Sequence, residues 1–290
     1  MSSMRPWLAT TAAALVVVGI VAGISLMVQS GQPVTEPVPP NPTSLPTNSR
    51  TDGPAQPQDV TVPVYFLGDT TQGTRLFREF RRYQGVAGWS KLRIAVNGAI
   101  LGDTTDPDYR TGFPKGTSAQ VSLGTSTVTV DLRGDDDLTV RRPDAEITLQ
   151  AIVHTVDGVL QARIPVEFKI DGARAGTVLG VDTAQPMARA AADDVQAPVW
   201  IVDPGNESTV DSPFTVTGLA ATFEANVQWE LMDGARVVRR GFTTAAACCT
   251  ASPYSFAVTA PPGTYTLVVH DTDESGGGKV NRDTKEVTVR

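Results

Sequence analysis

The sequence is poor in the residues from which most enzyme and metal sites are built. Among 290 residues there are 2 cysteines and 2 histidines, and only 6% are aromatic. No cysteine or further histidine clusters with His154 or His270, which argues against a zinc site. Neither G-x-S-x-G, S-x-x-K, a P-loop nor a dinucleotide fingerprint occurs. No spacing singles out the paired carboxylates that a glycosidase needs. A catalytic constellation is therefore missing, so the chain is expected to be no enzyme and to carry no cofactor.

An excess of basic charge is missing as well. The formal net charge is −7, which excludes the electrostatic footprint of a nucleic-acid binder. The acidity is uneven. Residues 59–192 hold 15 basic and 16 acidic side chains, whereas residues 193–290 hold 7 and 13. Such an acidic second half would be repelled by anionic polymers and anionic lipid.

One long apolar run is present. Pro6–Val28 carries no charge and follows Arg5. About 20 helical residues cross the hydrocarbon core of a bilayer, and a cleaved signal peptide has a shorter apolar region. Residues 1–30 therefore read as a cytoplasmic tip and transmembrane signal anchor, with the remainder of the chain outside. The small residues of Val28–Gly31 also offer a cleavage site, and cleavage would make the protein secreted. No cysteine stands there for a lipid anchor. Residues 31–58 contain eight prolines and almost no large apolar residue, so they form a disordered, extended stalk.

The remainder divides at about residue 192. In residues 59–192, Val62, Val64 and Phe66 alternate as a half-buried strand. The segment Leu76, Phe80, Tyr83 suits either a strand or a helix. Leu92, Val96, Ala99 and Ile100 share one helical face. Two strands follow, SAQVSL and STVTVDL. A second helix begins near Pro143, with Asp144 and Glu146 in its first turn and Leu149, Ile152, Val153 and Val156 as its buried stripe. His154 lies off that stripe and is expected to be solvated or partly packed. A last strand points Val166, Phe168 and Ile170 inward. Helices interleaved with strands give an α+β sandwich, with the helices on one face of a sheet.

This first domain resembles the GerMN domain of sporulation and spore-germination proteins. The residues that carry the likeness are VPVYFLGD, GAI, DPDYRTGFPKGT, VTVDL and LQAIVHTVDGVLQARIPVEFKIDG. They are mostly core and turn residues. The resemblance implies a module of membrane-associated assemblies, acting by self-association or docking.

Residues 193–290 read as seven short strands with period-two alternation, bounded by Gly, Pro or Asp, the pattern of an immunoglobulin-like β-sandwich. Val227, Trp229 and Leu231 are expected in its core, and Asp233-Gly234 suits a tight hairpin turn. The run from Pro204 through Ser212, Pro213, Gly218, Ala220, Phe223, Glu224, Ala225 and Val227 resembles the immunoglobulin-like domain of bacterial spore germination. Phe223 is expected to plug one end of the sandwich and Glu224 to cap loop N–H groups.

Four further features remain as candidate sites. Tyr109 and Phe113, in DPDYRTGF, could be exposed aromatics that stack on sugars or could pack as a structural loop. Asp271, Asp273 and Glu274 form an acidic hairpin tip with the makings of a weak calcium site, though no complete loop motif is there. Asp135–Asp137 read as a solvated turn. Cys248 and Cys249 are adjacent; in an exported protein they form either a vicinal disulfide or a crosslink between two chains.

Together these features describe a membrane-anchored protein of the cell envelope, extracytoplasmic and Gram-positive given the stalk. Its role is binding or scaffolding, with envelope proteins or a second copy as partners. The alternative is a peptidoglycan-binding or glycan-binding module that assists cell-wall remodelling.

Overall fold

The computed structural model describes residues 58–86, 90–272 and 280–290. The N-terminal apolar run, the stalk and the acidic positions Asp273 and Glu274 lie outside them. Among the described residues no helix is long and apolar enough to cross a membrane.

Strands β1 (Gln58–Thr70) and β2 (Gly73–Val86) form a long antiparallel hairpin, which settles the ambiguous segment around Phe80 as a strand. Helix α1 (Lys91–Leu101) starts at Ser90, whose side chain accepts from the Arg93 N–H, and stops at Gly102 with φ 67°. The turn there is left-handed, a conformation glycine adopts at little cost. Strand β3 (Tyr109–Arg110) then adds to the free side of β1.

A second sheet contains β4 (Ser118–Leu123), β5 (Val128–Arg133), β6 (Val166–Ile170) and β7 (Ala173–Arg174), in that order. Between β5 and β6, which run parallel, the chain passes through α2 (Ala145–Leu160). This helix runs one turn beyond Val156, the last residue of the expected buried stripe. Strands β8 (Thr177–Val178) and β9 (Val181–Asp182) make a small hairpin, and α3 (Ala192–Val195) ends the first domain.

The two helices pack on each other and on β1, and α1 also packs on β4. They sit between two sheet pieces that share one core, rather than on one face of a single sheet. Polar side chains on the helices satisfy strand backbone groups that would otherwise lie unpaired. Thr155 on α2 accepts from the Tyr65 N–H at 3.0 Å, and Asn97 on α1 both donates to and accepts from the Ala119 backbone.

Among the described residues the second domain is a sandwich of eight strands, one more than expected. One sheet contains β10 (Val199–Asp203), β12 (Phe214–Ala220) and β15 (Ser252–Val258). The other contains β11 (Ser208–Val210), β13 (Asn226–Asp233), β14 (Arg236–Thr244), β16 (Gly263–His270) and β17 (Arg282–Val289). The additional strand is the three-residue β11, too short to show alternation. Val227 and Leu231 are fully buried. Trp229 is only half-buried; its ring stacks on Phe256 with centroids 4.9 Å apart and lies over Gly241, where a Cβ would fall 2.7 Å from it. Gly234 takes φ 57° at the expected hairpin. The turn Phe223–Ala225 departs from expectation: Phe223 is 57% exposed and Glu224 is exposed too. Glu224 takes φ 52°, so these residues act through the backbone bend and neither plugs the sandwich nor caps it.

The described residues of both domains belong to one compact unit.

Candidate functional site at the domain junction

The largest departure from the sequence reading lies where the domains meet. On β17 the inward positions are Asp283, Lys285, Val287 and Val289, all buried. The two apolar members fill the sandwich core. The two charged members meet the first domain.

The partner surface is the loop between α1 and β3. Glu79 on β2 organises it, accepting hydrogen bonds from Thr104 Oγ1 at 2.9 Å and the Asp106 N–H at 3.2 Å. Burial raises the Glu79 carboxyl above its usual range, against the stabilising pull of the Thr104 hydroxyl and the Lys285 charge. The loop then carries Asp106, only 1% exposed, and Tyr109 to the junction. Tyr109 stacks on Phe77, with ring centroids 4.8 Å apart. Gly68 makes room for that pair, since a Cβ there would sit 2.6 Å from the Phe77 ring.

Lys285 lies at the centre. Its Nζ donates to Asp106, to the Tyr109 hydroxyl at 2.8 Å and to Asp283 Oδ1 at 3.1 Å. The Tyr109 hydroxyl in turn donates to Asp283 Oδ1 at 2.8 Å, and Asp283 Oδ2 accepts from the Ile201 N–H at 2.6 Å. The Lys285 ammonium also lies 4.4 Å from the centre of the Tyr109 ring. Burial would push Lys285 down, but Asp283 and Asp106 outweigh it and hold the amine above its usual value. Burial raises Asp283, with Lys285 opposing. Burial likewise carries the Tyr109 phenol well above its usual value, and the Asp283 charge adds to the effect.

A rim of polar contacts surrounds this centre. Thr284 Oγ1 donates to Asp108, Asn206 donates to the Thr105 carbonyl, and Asn281 Oδ1 accepts from the Thr71 N–H and hydroxyl. Trp200 on β10 is fully buried and joins the core of the first domain. Tyr254 donates to the Trp200 carbonyl at 3.0 Å. Gly218 accommodates both, because a Cβ there would sit 2.2 Å from that carbonyl and from the Tyr254 hydroxyl.

Several expectations change. Tyr109 and Phe113 are 5% and 6% exposed, so neither ring is available to stack on a sugar: Tyr109 is consumed by domain docking and Phe113 by the core. His154 is fully buried instead of solvated, because α2 is covered on the side where Gln196 donates to its Nδ1 at 3.2 Å. Asp271 spends its carboxylate on the backbone and side chain of Asn281. Asp135–Asp137 are exposed, with Asp136 paired to Arg142. Cys248 and Cys249 are joined to each other, in an exposed loop. None of Glu79, Asp106, Asp283 or Lys285 stood out in the sequence. The available signal was the phase of RDTKEVTV, in which an inward-facing Asp and Lys continue the apolar register of Val287 and Val289.

Residues 63–176 match the family described as "Sporulation and spore germination", and residues 198–278 match the "Immunoglobulin-like domain of bacterial spore germination". No curated protein matches the chain. Among solved structures, the tandem GerMN domains of the sporulation protein GerM from Bacillus subtilis align over 79% of this chain at 13% identity, with a TM-score of 0.37. The chain spans 62% of that structure's length. A protein of Clostridium perfringens described as a lipoprotein aligns over 45% of this chain and 88% of its own, at 17% identity and a TM-score of 0.30. Likenesses this distant assign no residue a role here.

Proposed function

We propose that this chain, which carries a sporulation and spore germination domain followed by the immunoglobulin-like domain of bacterial spore germination, is a non-enzymatic binding or scaffolding protein of the cell envelope. Its uncharged run Pro6–Val28 anchors it in the membrane, and the Pro-rich stalk holds the two domains outside. The observation that supports this reading best is the junction. The charged groups there are turned on one another, through Lys285, Asp106, Asp283 and Tyr109, and so hold two domains in one joint surface. A scaffold needs that fixed presentation.

Strand β14 supports the binding part of the role. It stands at the edge of its sheet, with Phe242 72% exposed and Val237 40% exposed. Arg236, Arg239 and Arg240 line it in a domain that is otherwise acidic. An edge of this kind accepts an extended segment as a further strand, and its arginines favour an acidic one. The partner is therefore an envelope protein with an extended acidic segment.

The test uses the full chain in two arms. In membranes, chemical crosslinking should capture a protein partner. Incubated with purified cell-wall sacculi at physiological salt, the chain should neither pellet nor release soluble sugars. Release of soluble muropeptides would overturn the non-enzymatic reading. Saturable pelleting would favour glycan recognition instead.

A further inference from the structure

The charges at the junction are arranged as reactants are. Nζ of Lys285 lies 2.5 Å from Oδ2 of Asp106 and 3.1 Å from Oδ1 of Asp283, and all three side chains are 1–2% exposed. A lysine amine, a carboxyl group hydrogen-bonded to it and a second carboxylate in contact with the same nitrogen are thus enclosed together. We propose that Lys285 and Asp106 condense to an amide, a covalent crosslink that fastens the second domain to the first.

The reaction needs no outside reagent, because an ammonium and a carboxylate already contain every atom of an amide and one water. First, a proton passes from Nζ to Oδ2 of Asp106 across their existing hydrogen bond. This leaves a neutral amine beside a carboxylic acid. The Nζ lone pair then bonds to Cγ of Asp106. Asp283 takes a second proton from the nitrogen through its own contact and gives it to the departing hydroxyl. The Cγ–O bond breaks, water leaves, and Asp283 returns to its starting state. A cleft of about 430 Å³, lined by Lys285, Glu79, Arg78 and Phe80, gives that water a way out.

Two physical effects favour the step. Holding amine and acid in contact replaces a bimolecular encounter, with effective molarities of roughly 10⁵–10⁸ M in well-oriented cases. Converting the pair to an amide removes two buried charges, each of which is costly to hold in a low dielectric. Tyr109 is a positioning residue: its hydroxyl donates to Asp283 and accepts from Lys285, so it holds the proton carrier against the nucleophile. The ground state is the ion pair, so the amine form is a minor species and the crosslink accumulates slowly after folding.

Mass spectrometry tests this on the purified full chain. Trypsin should release one branched peptide in which residues 94–110, containing Asp106, are joined to residues 283–290, containing Lys285. Its mass should equal the two peptides less one water. Lys285→Arg and Asp106→Ala should each give residues 94–110 unlinked, with residues 283–290 cut after position 285 into 283–285 and 286–290. Asp283→Asn should stay folded by circular dichroism and acquire the branched peptide many-fold more slowly. Recovery of peptide 94–110 unlinked, together with cleavage after Lys285 to give 286–290, from folded wild-type protein after prolonged incubation at neutral pH would overturn the proposal. Loss of one water without the branched peptide would overturn it equally.

Discussion

Acidification should destabilise this protein through His154. The imidazole is fully buried on α2, accepts from the Gln196 amide and lies edge-on to Tyr65 at 5.3 Å. Burial, and next the positive charge of Arg189, lowers its pKa from 6.5 to about 3. A folded-state value below the unfolded one means that stability is fully present above about pH 6.5 and is lost as pH falls toward 3. Each pH unit in that window costs about 1.4 kcal/mol, so moving from pH 7.5 to pH 5 removes about 2 kcal/mol. Glu79, Asp271 and Asp283 work the other way: burial raises each of them, so their protonation favours the fold as the solution becomes acidic. The wild-type curve is the sum of both trends. Comparison with His154→Gln isolates the histidine. Urea unfolding at pH 7.5, 6 and 5 should show the variant losing about 2 kcal/mol less than wild type across that range. Parallel curves, or an imidazole that titrates near 6.5 by NMR, would refute the reasoning.

Three other substitutions have expected outcomes. Tyr109→Phe removes a hydroxyl that serves both Asp283 and Lys285, and should cost about 1–3 kcal/mol in urea unfolding, the penalty for leaving buried polar groups short of a partner. Gly218→Ala puts a methyl against the Trp200 carbonyl and the Tyr254 hydroxyl, and should lower stability by about 1–3 kcal/mol, read as a reduced thermal midpoint. Phe242→Ser on the exposed edge strand should change stability by less than about 0.5 kcal/mol, yet abolish crosslinking to a membrane partner.

The sequence made the elements legible wherever burial follows period. Val62, Val64 and Phe66, the stripe Leu149/Ile152/Val153/Val156, and Val227 with Leu231 are all fully or almost fully buried, as alternation and helical spacing require. The hairpin at Gly234 was legible because the backbone needs a positive φ there. Four kinds of residue were not. In the sequence Tyr109 is open between an exposed aromatic and a packed loop residue, because its neighbours Asp106 and Asp108 are charged and nothing in the sequence shows that they face a second domain. His154 sits outside the apolar stripe, but α2 is covered on more than one side. Asp283 and Lys285 did not stand out, because a buried salt bridge is invisible until both partners are placed. Motif residues Phe223 and Glu224 depart from expectation for a different reason: they serve a backbone bend, which the motif does not distinguish from side-chain burial.

The most direct measurement is hydrogen exchange on the full chain carrying Lys285→Met, compared with wild type. The substitution leaves Asp106 and Asp283 buried without their cation, a loss of about 3–5 kcal/mol for a broken buried pair. If the junction makes the two domains one unit, amides in β1 and α1 should exchange faster along with those in β13 and β16. Acceleration confined to residues 197–290, with the first domain unchanged, would contradict it.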